Sequence, residues 1–91
     1  MNKTELVSLV AQNTQMTKES AAHAVDATFE GIASALQSGD TVRIVGFGNF
    51  QVAFRKASTG RNPRTGEPIQ IPASRIPKFK AGKALKQAVN T

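Results

Sequence analysis

The chain has 91 residues, of which 40% are hydrophobic, and its 12 basic and 6 acidic residues give it a net charge of +6. A chain of this length forms one domain at most, here residues 1–91, and buries only about 60% of the surface that its unfolded form exposes. With no cysteine and a single histidine, it has neither disulfides nor a Cys/His zinc site to stabilise it, which leaves oligomerisation and predicts a dimer.

The sequence predicts neither export nor a membrane span. Its first ten residues, MNKTELVSLV, lack the basic segment, the continuous apolar segment and the cleavage site of a secretory signal. No apolar run approaches the roughly 18 residues of a membrane helix. We therefore expect a soluble cytoplasmic protein with no membrane partner, and the lack of cysteine is compatible with that location.

The first predicted element is a short amphipathic helix. Asn2 and Glu5 resemble a capping box at its start, and Asn13 is expected to stop it after about ten residues. A second helix is predicted from Thr17, as N-cap, to Gly39.

The second helix has one apolar face, because four large residues recur at helical spacing. These residues are Val25, Phe29, Ile32 and Leu36. His23 falls on another face, towards water, and has no partner suited to catalysis or metal binding. Six alanines and Gly31 in this segment favour close approach of helices from two chains, or simply reflect helix propensity.

From Asp40 the hydrophobic period changes to two, which predicts a β-hairpin over residues 40–54 with one apolar face. Val42 and Ile44 alternate with polar residues before the turn at Gly46 to Gly48, and Phe50, Val52 and Phe54 alternate after it. Phe47, between two glycines, is either a buried plug or an exposed contact, and the shortage of core residues favours the plug.

Residues 55–74 predict a two-stranded ribbon that leaves the body and returns. Their central part, KASTGRNPRTGEPIQIPAS, has three prolines, two glycines and few large apolar residues. Asn62-Pro63 begins a turn, Thr65-Gly66 closes it, and Ile69 and Ile71 alternate as strand residues do. An isolated hairpin is marginal in water, so we expect this ribbon to be mobile until it contacts a partner.

The chain then returns to the body and ends in a third helix. Residues 75–81 predict a strand in which Ile76 and Phe79 contact the body. Residues 82–91, opened by Gly82, predict a short helix with Leu85 and Val89 facing inwards.

The positive charge is concentrated in the second half of the sequence. Residues 1–54 carry a net charge of −2, whereas residues 55–91 contain nine basic residues and only Glu67 as an acid, a net charge of +8. This asymmetry predicts a polyanionic partner. A ribbon bearing arginines fits a DNA groove, and the sequence lacks the glycine-rich loops that bind small phosphorylated ligands.

Two interpretations of Pro63 are open from its position at the ribbon tip. A proline ring between basic residues can wedge between base pairs and kink a duplex. Most turn prolines only shape the turn, and spacing alone favours that role.

Three segments resemble the bacterial histone-like HU family: GFGNF at residues 46–50, GRNPRTGE at 60–67 and IPKFKAGKALK at 76–86. The resemblance covers essentially the whole chain. It implies an α+β fold with two N-terminal helices, a three-stranded antiparallel sheet, a protruding β-ribbon arm and a short C-terminal helix. It also implies an intertwined dimer, with a helical dimerisation part (1–39), a sheet (40–54 and 75–81) and two DNA-binding arms (55–74) that embrace DNA through the minor groove.

In the family, Pro63 matches the intercalating arm-tip proline, so the resemblance favours the wedge. The expected DNA-binding residues are Lys3, Gly46, Arg55, Lys56, Arg61, Asn62, Pro63, Arg64, Arg75, Lys78, Lys80, Lys83 and Lys86. The expected dimer core consists of Val25, Phe29, Ile32, Leu36, Ile44, Phe47, Phe50, Val52 and Phe79. Ser58 departs from the arginine that many HU proteins have, and Ala53 is also neutral, so the arm base is expected to hold phosphate less strongly.

Together with the resemblance to the HU family, these features predict a non-enzymatic, cofactor-free protein that bends DNA and compacts it in the bacterial nucleoid. It is expected to bind double-stranded DNA with little sequence preference, to favour bent, nicked or gapped sites and to form a homodimer or a heterodimer. The alternatives are a sequence-specific architectural subunit of the integration-host-factor type and an RNA-binding protein. No nucleophile–base pair, metal set or convergent carboxylates support an enzyme.

Overall fold

The computed structural model describes all 91 residues and has the predicted α+β order of elements. The elements are α1 (Lys3–Thr14), α2 (Lys18–Gln37), β1 (Val42–Ile44), β2 (Gly48–Arg55), β3 (Ser58–Arg61), β4 (Pro68–Ile71), β5 (Ser74–Ala81) and α3 (Lys83–Val89). The chain divides into two compact units, Met1–Ser34 and Ala35–Thr91. None of the three helices is both long and apolar enough to span a membrane.

The helix starts follow local capping signals. The Asn2 side chain accepts a hydrogen bond of 2.8 Å from the Glu5 N–H, and the Thr17 hydroxyl accepts one of 3.1 Å from the Ser20 N–H. Each of these bonds satisfies a donor that the first helical turn leaves free. Both predicted N-caps are therefore confirmed.

The helix ends agree with the sequence prediction at only one of two places. Gly39 has φ +87°, and the N–H groups of Gly39 and Asp40 donate to the carbonyls of Leu36 and Ala35, which is a Schellman motif. By contrast, Asn13 does not stop α1, which continues to Thr14 and ends where Gln15 adopts a left-handed conformation with φ 59°. No local glycine signals that stop.

The core of the first unit is small. Only Val7, Ala11, Ala21 and Val25 are buried hydrophobic residues. Small side chains at Ala11 and Ala21 allow the two helices to approach closely. Leu6, Val10 and Phe29 line an open apolar groove beside this core, and Phe29 is 49% exposed.

The second unit contains the three-stranded sheet, in the order β1-β2-β5, with both pairs antiparallel. Residues that lie opposite each other across an antiparallel pair project from the same face. The register pairs Phe50 with Val42 and with Phe79, so one face is apolar. The Phe79 ring centroid lies 4.9 Å from that of Phe50 and 5.5 Å from that of Phe47.

The aromatic contact does not bury Phe47. Its side chain is 45% exposed, so the prediction of a buried plug is wrong within the single chain. The reason is that no element of this unit covers the outer side of the ring, since the unit has no buried large hydrophobic residue.

The residues expected in a dimer core differ widely in exposure. Val25 is buried within the chain. Those that are half-buried are Ile32, Leu36, Phe50 and Val52, and those that are exposed are Phe29, Ile44, Phe47 and Phe79.

Candidate nucleic-acid interface

The face of the sheet opposite the phenylalanines is basic. Arg43 and Lys80 both pair with Asn49 of β2, Lys78 pairs with Gln51, and Arg55 lies at the end of β2. The three strands contain no aspartate or glutamate. Four cations therefore project from one face with no acid among them, which suits a polyanionic ligand.

Arg43 was not among the residues expected to bind DNA. Its place between Val42 and Ile44 assigns it to the polar side of the hairpin. Only the register, which brings it into one row with Lys80, reveals that the two charges share a surface.

Arg75 requires a correction, because it projects from the apolar face. It pairs with Phe54, and its guanidinium donates to the carbonyls of Leu36 and Gln37 at 3.1–3.2 Å. These carbonyls belong to the last turn of α2, where backbone acceptors are free and a positive charge is favourable. Arg75 is thus a cap for the C-terminus of α2 and does not belong to the basic face.

Lys3 is also held within the chain. Its ammonium lies 2.9 Å from an Asp26 carboxylate oxygen; the Lys3 side chain is exposed and that of Asp26 is half-buried. The hydrogen bond and the charge of Asp26 raise the pKa of Lys3 above the ordinary lysine value. The charge that was expected to contact phosphate is therefore already paired with a carboxylate.

Strands β3 and β4 form the predicted ribbon as a separate two-stranded sheet. Arg61, Thr59 and Gln70 project from one face, whereas Ile69 and Ile71 project from the other. On the second face the Ile71 side chain lies so close to Gly60 that an added Cβ would be 3.0 Å away. The ribbon thus has a basic polar face and an apolar face.

The arm tip, residues 62–67, is closed by hydrogen bonds that all involve Asn62. The Asn62 N–H donates to the Glu67 carbonyl at 2.9 Å, and the Asn62 carbonyl accepts from the Gly66 N–H at 2.7 Å. The Asn62 side chain accepts from the Arg64 N–H at 2.9 Å, which is an Asx turn. Pro63 is exposed between these two residues, and Gly66 has φ +71°.

Arg61 and Arg64 differ in their contacts although they flank the same proline. The Arg61 guanidinium donates to the Gly66 carbonyl at 3.0 Å, whereas the exposed Arg64 guanidinium makes no such bond. Lys56 is exposed at the arm base between β2 and β3. Ser58 begins β3 and is exposed, so a serine hydroxyl occupies the position where an arginine would add a charge.

Gly82 is the N-cap of α3, and its N–H donates to the Phe47 carbonyl at 2.8 Å. This bond ties the start of α3 to the turn that contains Gly46, which has φ +84°. Lys83 and Lys86 are exposed on α3. Val89 is 74% exposed, so its predicted inward orientation is wrong, because the helix ends at that residue.

Apart from Lys3 and Arg75, the expected binding residues lie at three places. Those on the polar sheet face are Arg55, Lys78 and Lys80, those on the arm are Lys56, Arg61, Asn62, Pro63 and Arg64, and those at the turn and α3 are Gly46, Lys83 and Lys86. No group of three or more metal-ligating side chains is present, and no polar side chain is buried. The described surface therefore offers exposed cations on the sheet, the arm and α3, and an exposed proline at the arm tip.

Comparison with known proteins gives consistent matches along the chain. A family model described as bacterial DNA-binding protein matches residues 1–90. The chain is 56% identical over 89 residues to DNA-binding protein HU of Geobacillus stearothermophilus, which covers 98% of this chain and 99% of that protein. The structure is similar to Anabaena HU from an HU–DNA cocrystal, with TM-score 0.90, 48% identity and coverage of 98% and 97%. It is also similar to HU from Thermotoga maritima, with TM-score 0.71, 36% identity and coverage of 98% of both chains.

Proposed function

The chain belongs to the bacterial DNA-binding protein family, as an HU-type member, and from that premise we propose that it is a dimeric architectural protein of the nucleoid. It binds duplex DNA with little sequence preference and bends it. The observation that carries this proposal is the sheet face that bears Arg43, Lys78, Lys80 and, at the arm base, Arg55, with no acidic residue among them. Cations in a fixed row contact phosphates, which carry no sequence information.

The arm supplies the bending step in this proposal. Pro63 stands exposed at the tip, and Arg64 beside it has a free guanidinium. An apolar ring that enters the minor groove unstacks a base step, and this costs a few kcal/mol. Nicked or gapped DNA has already lost part of that stacking, so the protein prefers such sites.

Dimerisation follows from the small core. Four buried hydrophobic residues, all in the first unit, leave Phe29, Ile44 and Phe79 exposed. In the proposed dimer, residues 1–39 of two chains pack together, and the arms (55–74) of both chains bind the DNA. Burial of these three side chains supplies the hydrophobic stabilisation that a chain of this length lacks.

The experiment is a band-shift titration of intact, nicked and cruciform DNA of one sequence at several salt concentrations. The logarithm of the affinity should fall linearly with the logarithm of salt, with a slope of about 0.9 per phosphate contacted. Arg43→Ala and Lys78→Ala should each lower that slope. A salt-independent affinity would contradict the proposal.

Bending is measured by fluorescence transfer between the ends of a bound duplex. Pro63→Ala should reduce the bend, with little change in the salt slope, because alanine removes the ring and no charge. An unchanged bend would reject the intercalating role of Pro63.

Competition with random DNA and with duplex RNA separates this function from the two alternatives. A specificity ratio of about a thousand or more indicates a sequence-specific subunit, and stronger binding of RNA indicates an RNA-binding protein.

A further inference from the structure

We propose that Arg61 is a positioning residue that fixes the orientation of Pro63, and that Arg64 is the arginine of the arm tip that binds phosphate. The inference rests on the proposed function, because it assigns the roles of two residues in the bending step. It separates two arginines that have the same charge, lie three positions apart and are indistinguishable in the sequence.

The last residue pair of the ribbon forms only one of its two possible backbone hydrogen bonds, so the arm tip requires additional support. Asn62 and Glu67 are opposite each other, yet only the bond from the Asn62 N–H to the Glu67 carbonyl forms. The Glu67 N–H points instead to the Thr65 hydroxyl at 3.3 Å. One cross-strand bond is therefore missing at the point where the loop leaves the ribbon.

Arg61 supplies a bond across the loop. Its guanidinium reaches from the last residue of β3 to the Gly66 carbonyl, at 3.0 Å. Hydrogen bonds with an ionised donor are stronger than neutral ones. Gly66 has φ +71°, so this contact holds a residue in a conformation that only glycine adopts without strain.

The Arg61 contact acts on the proline through one further bond. The Gly66 N–H donates to the Asn62 carbonyl at 2.7 Å. That carbonyl belongs to the peptide group whose nitrogen is the Pro63 ring nitrogen, and a peptide group is planar. The hydrogen bond from Arg61 fixes Gly66, and the hydrogen bond from Gly66 fixes the plane of the Asn62–Pro63 peptide. Together the two bonds set the direction of the proline ring.

Arg64 takes no part in this chain of contacts. The Asn62 side chain accepts from its backbone N–H, but its exposed guanidinium makes no hydrogen bond within the protein. All five of its side-chain donors are available to phosphate oxygens. In Arg61 one side of the fork is committed to the loop.

A fixed ring enters a base step more readily than a mobile one, because ordering the tip before binding removes an entropy penalty from the bent complex. Removal of the Arg61 contact should therefore affect bending, whereas removal of a phosphate-binding charge should affect salt dependence. Arg61→Ala and Arg64→Ala are therefore a matched pair of variants, because each removes one positive charge from the same arm.

The test uses the full-length protein with Arg61→Ala, Arg64→Ala, Arg61→Lys and Pro63→Ala. Arg64→Ala should lower the salt slope by about 0.9 for each phosphate that the variant no longer neutralises, while the bound duplex keeps its bend. Arg61→Ala should lower the slope less than Arg64→Ala does, reduce the bend and lower the affinity ratio of nicked to intact DNA by about three- to tenfold, as expected for one hydrogen bond. Arg61→Lys keeps a charged donor and should restore most of the bend.

A second measurement needs no DNA. Amide hydrogen exchange at Gly66 should be faster in Arg61→Ala than in Arg64→Ala, because only the former releases the loop. Equal exchange in the two variants, or an Arg61→Ala protein with a lowered slope and a normal bend, would overturn the inference. If Pro63→Ala leaves the bend unchanged, the wedge itself fails, and Gly66 exchange still decides whether Arg61 braces the tip.

Discussion

Gly48 is the residue at which the surrounding structure most strongly excludes a side chain. A Cβ on Gly48 would lie 2.6 Å from the Lys80 carbonyl oxygen and 2.6 Å from the Phe79 ring. The first neighbour is backbone of the paired strand, which cannot move without breaking the sheet, so Gly48→Ala should lower the free energy of unfolding by about 1–3 kcal/mol. Urea denaturation of the two proteins measures this difference.

Gly82→Ala is the matched control for that substitution. Its Cβ would meet the Phe47 backbone at 3.2 Å, a tight contact that a small shift relieves. Its loss of stability should therefore be smaller than that of Gly48→Ala. The reverse order would mean that β2 and β5 do not pair Gly48 with Ala81.

Among the elements, α2 and β5 are connected by the Arg75 side chain. Arg75→Ala removes three hydrogen bonds to the last turn of α2, and a positive charge next to that helix end. A loss of about 1–2 kcal/mol in stability is expected, with no change in the salt slope of DNA binding. Thermal unfolding and salt-dependent band shifts provide the two measurements.

Lys78→Ala serves as the control on the same strand. Lys78 projects from the opposite, basic face. Its substitution should reduce the salt slope and leave thermal stability nearly unchanged. A lowered slope in Arg75→Ala would return Arg75 to the DNA-binding residues.

On the scale of the whole molecule, stability should depend on protein concentration. An exposed ring at Phe29, beside the groove lined by Leu6 and Val10, is consistent with a partner chain that covers it. Mass action then requires the melting temperature to rise with concentration. Phe29→Glu should lower the melting temperature and shift the sedimenting species to the monomer.

His23→Glu adds the same charge to another, exposed side of α2 and should leave the dimer intact. A melting temperature independent of concentration, together with a monomeric mass for the parent protein, would exclude dimerisation as the source of stability.

Local signals made most of the fold predictable. Asn2, Thr17 and Gly39 act on backbone groups within a few residues, and the change of hydrophobic period near Asp40 marks the start of the sheet region. The end of α1 was missed because Gln15 adopts a left-handed conformation that its side chain does not require. Val89 was wrongly predicted to face inwards, because helical periodicity shows which face of a helix a residue lies on and does not show whether another element covers that face.

The sequence by itself determined the composition of the binding surface: a basic second half, a ribbon with Pro63 at its tip and too small a core for one chain. It could not determine which cations are free. Arg43 joins Lys80 through strand register, whereas Arg75 is turned to a helix end and Lys3 to Asp26. Residues far apart in sequence meet only when the chain folds, and hydrogen bonds at those meeting points decide whether a charge holds the protein together or remains available to DNA.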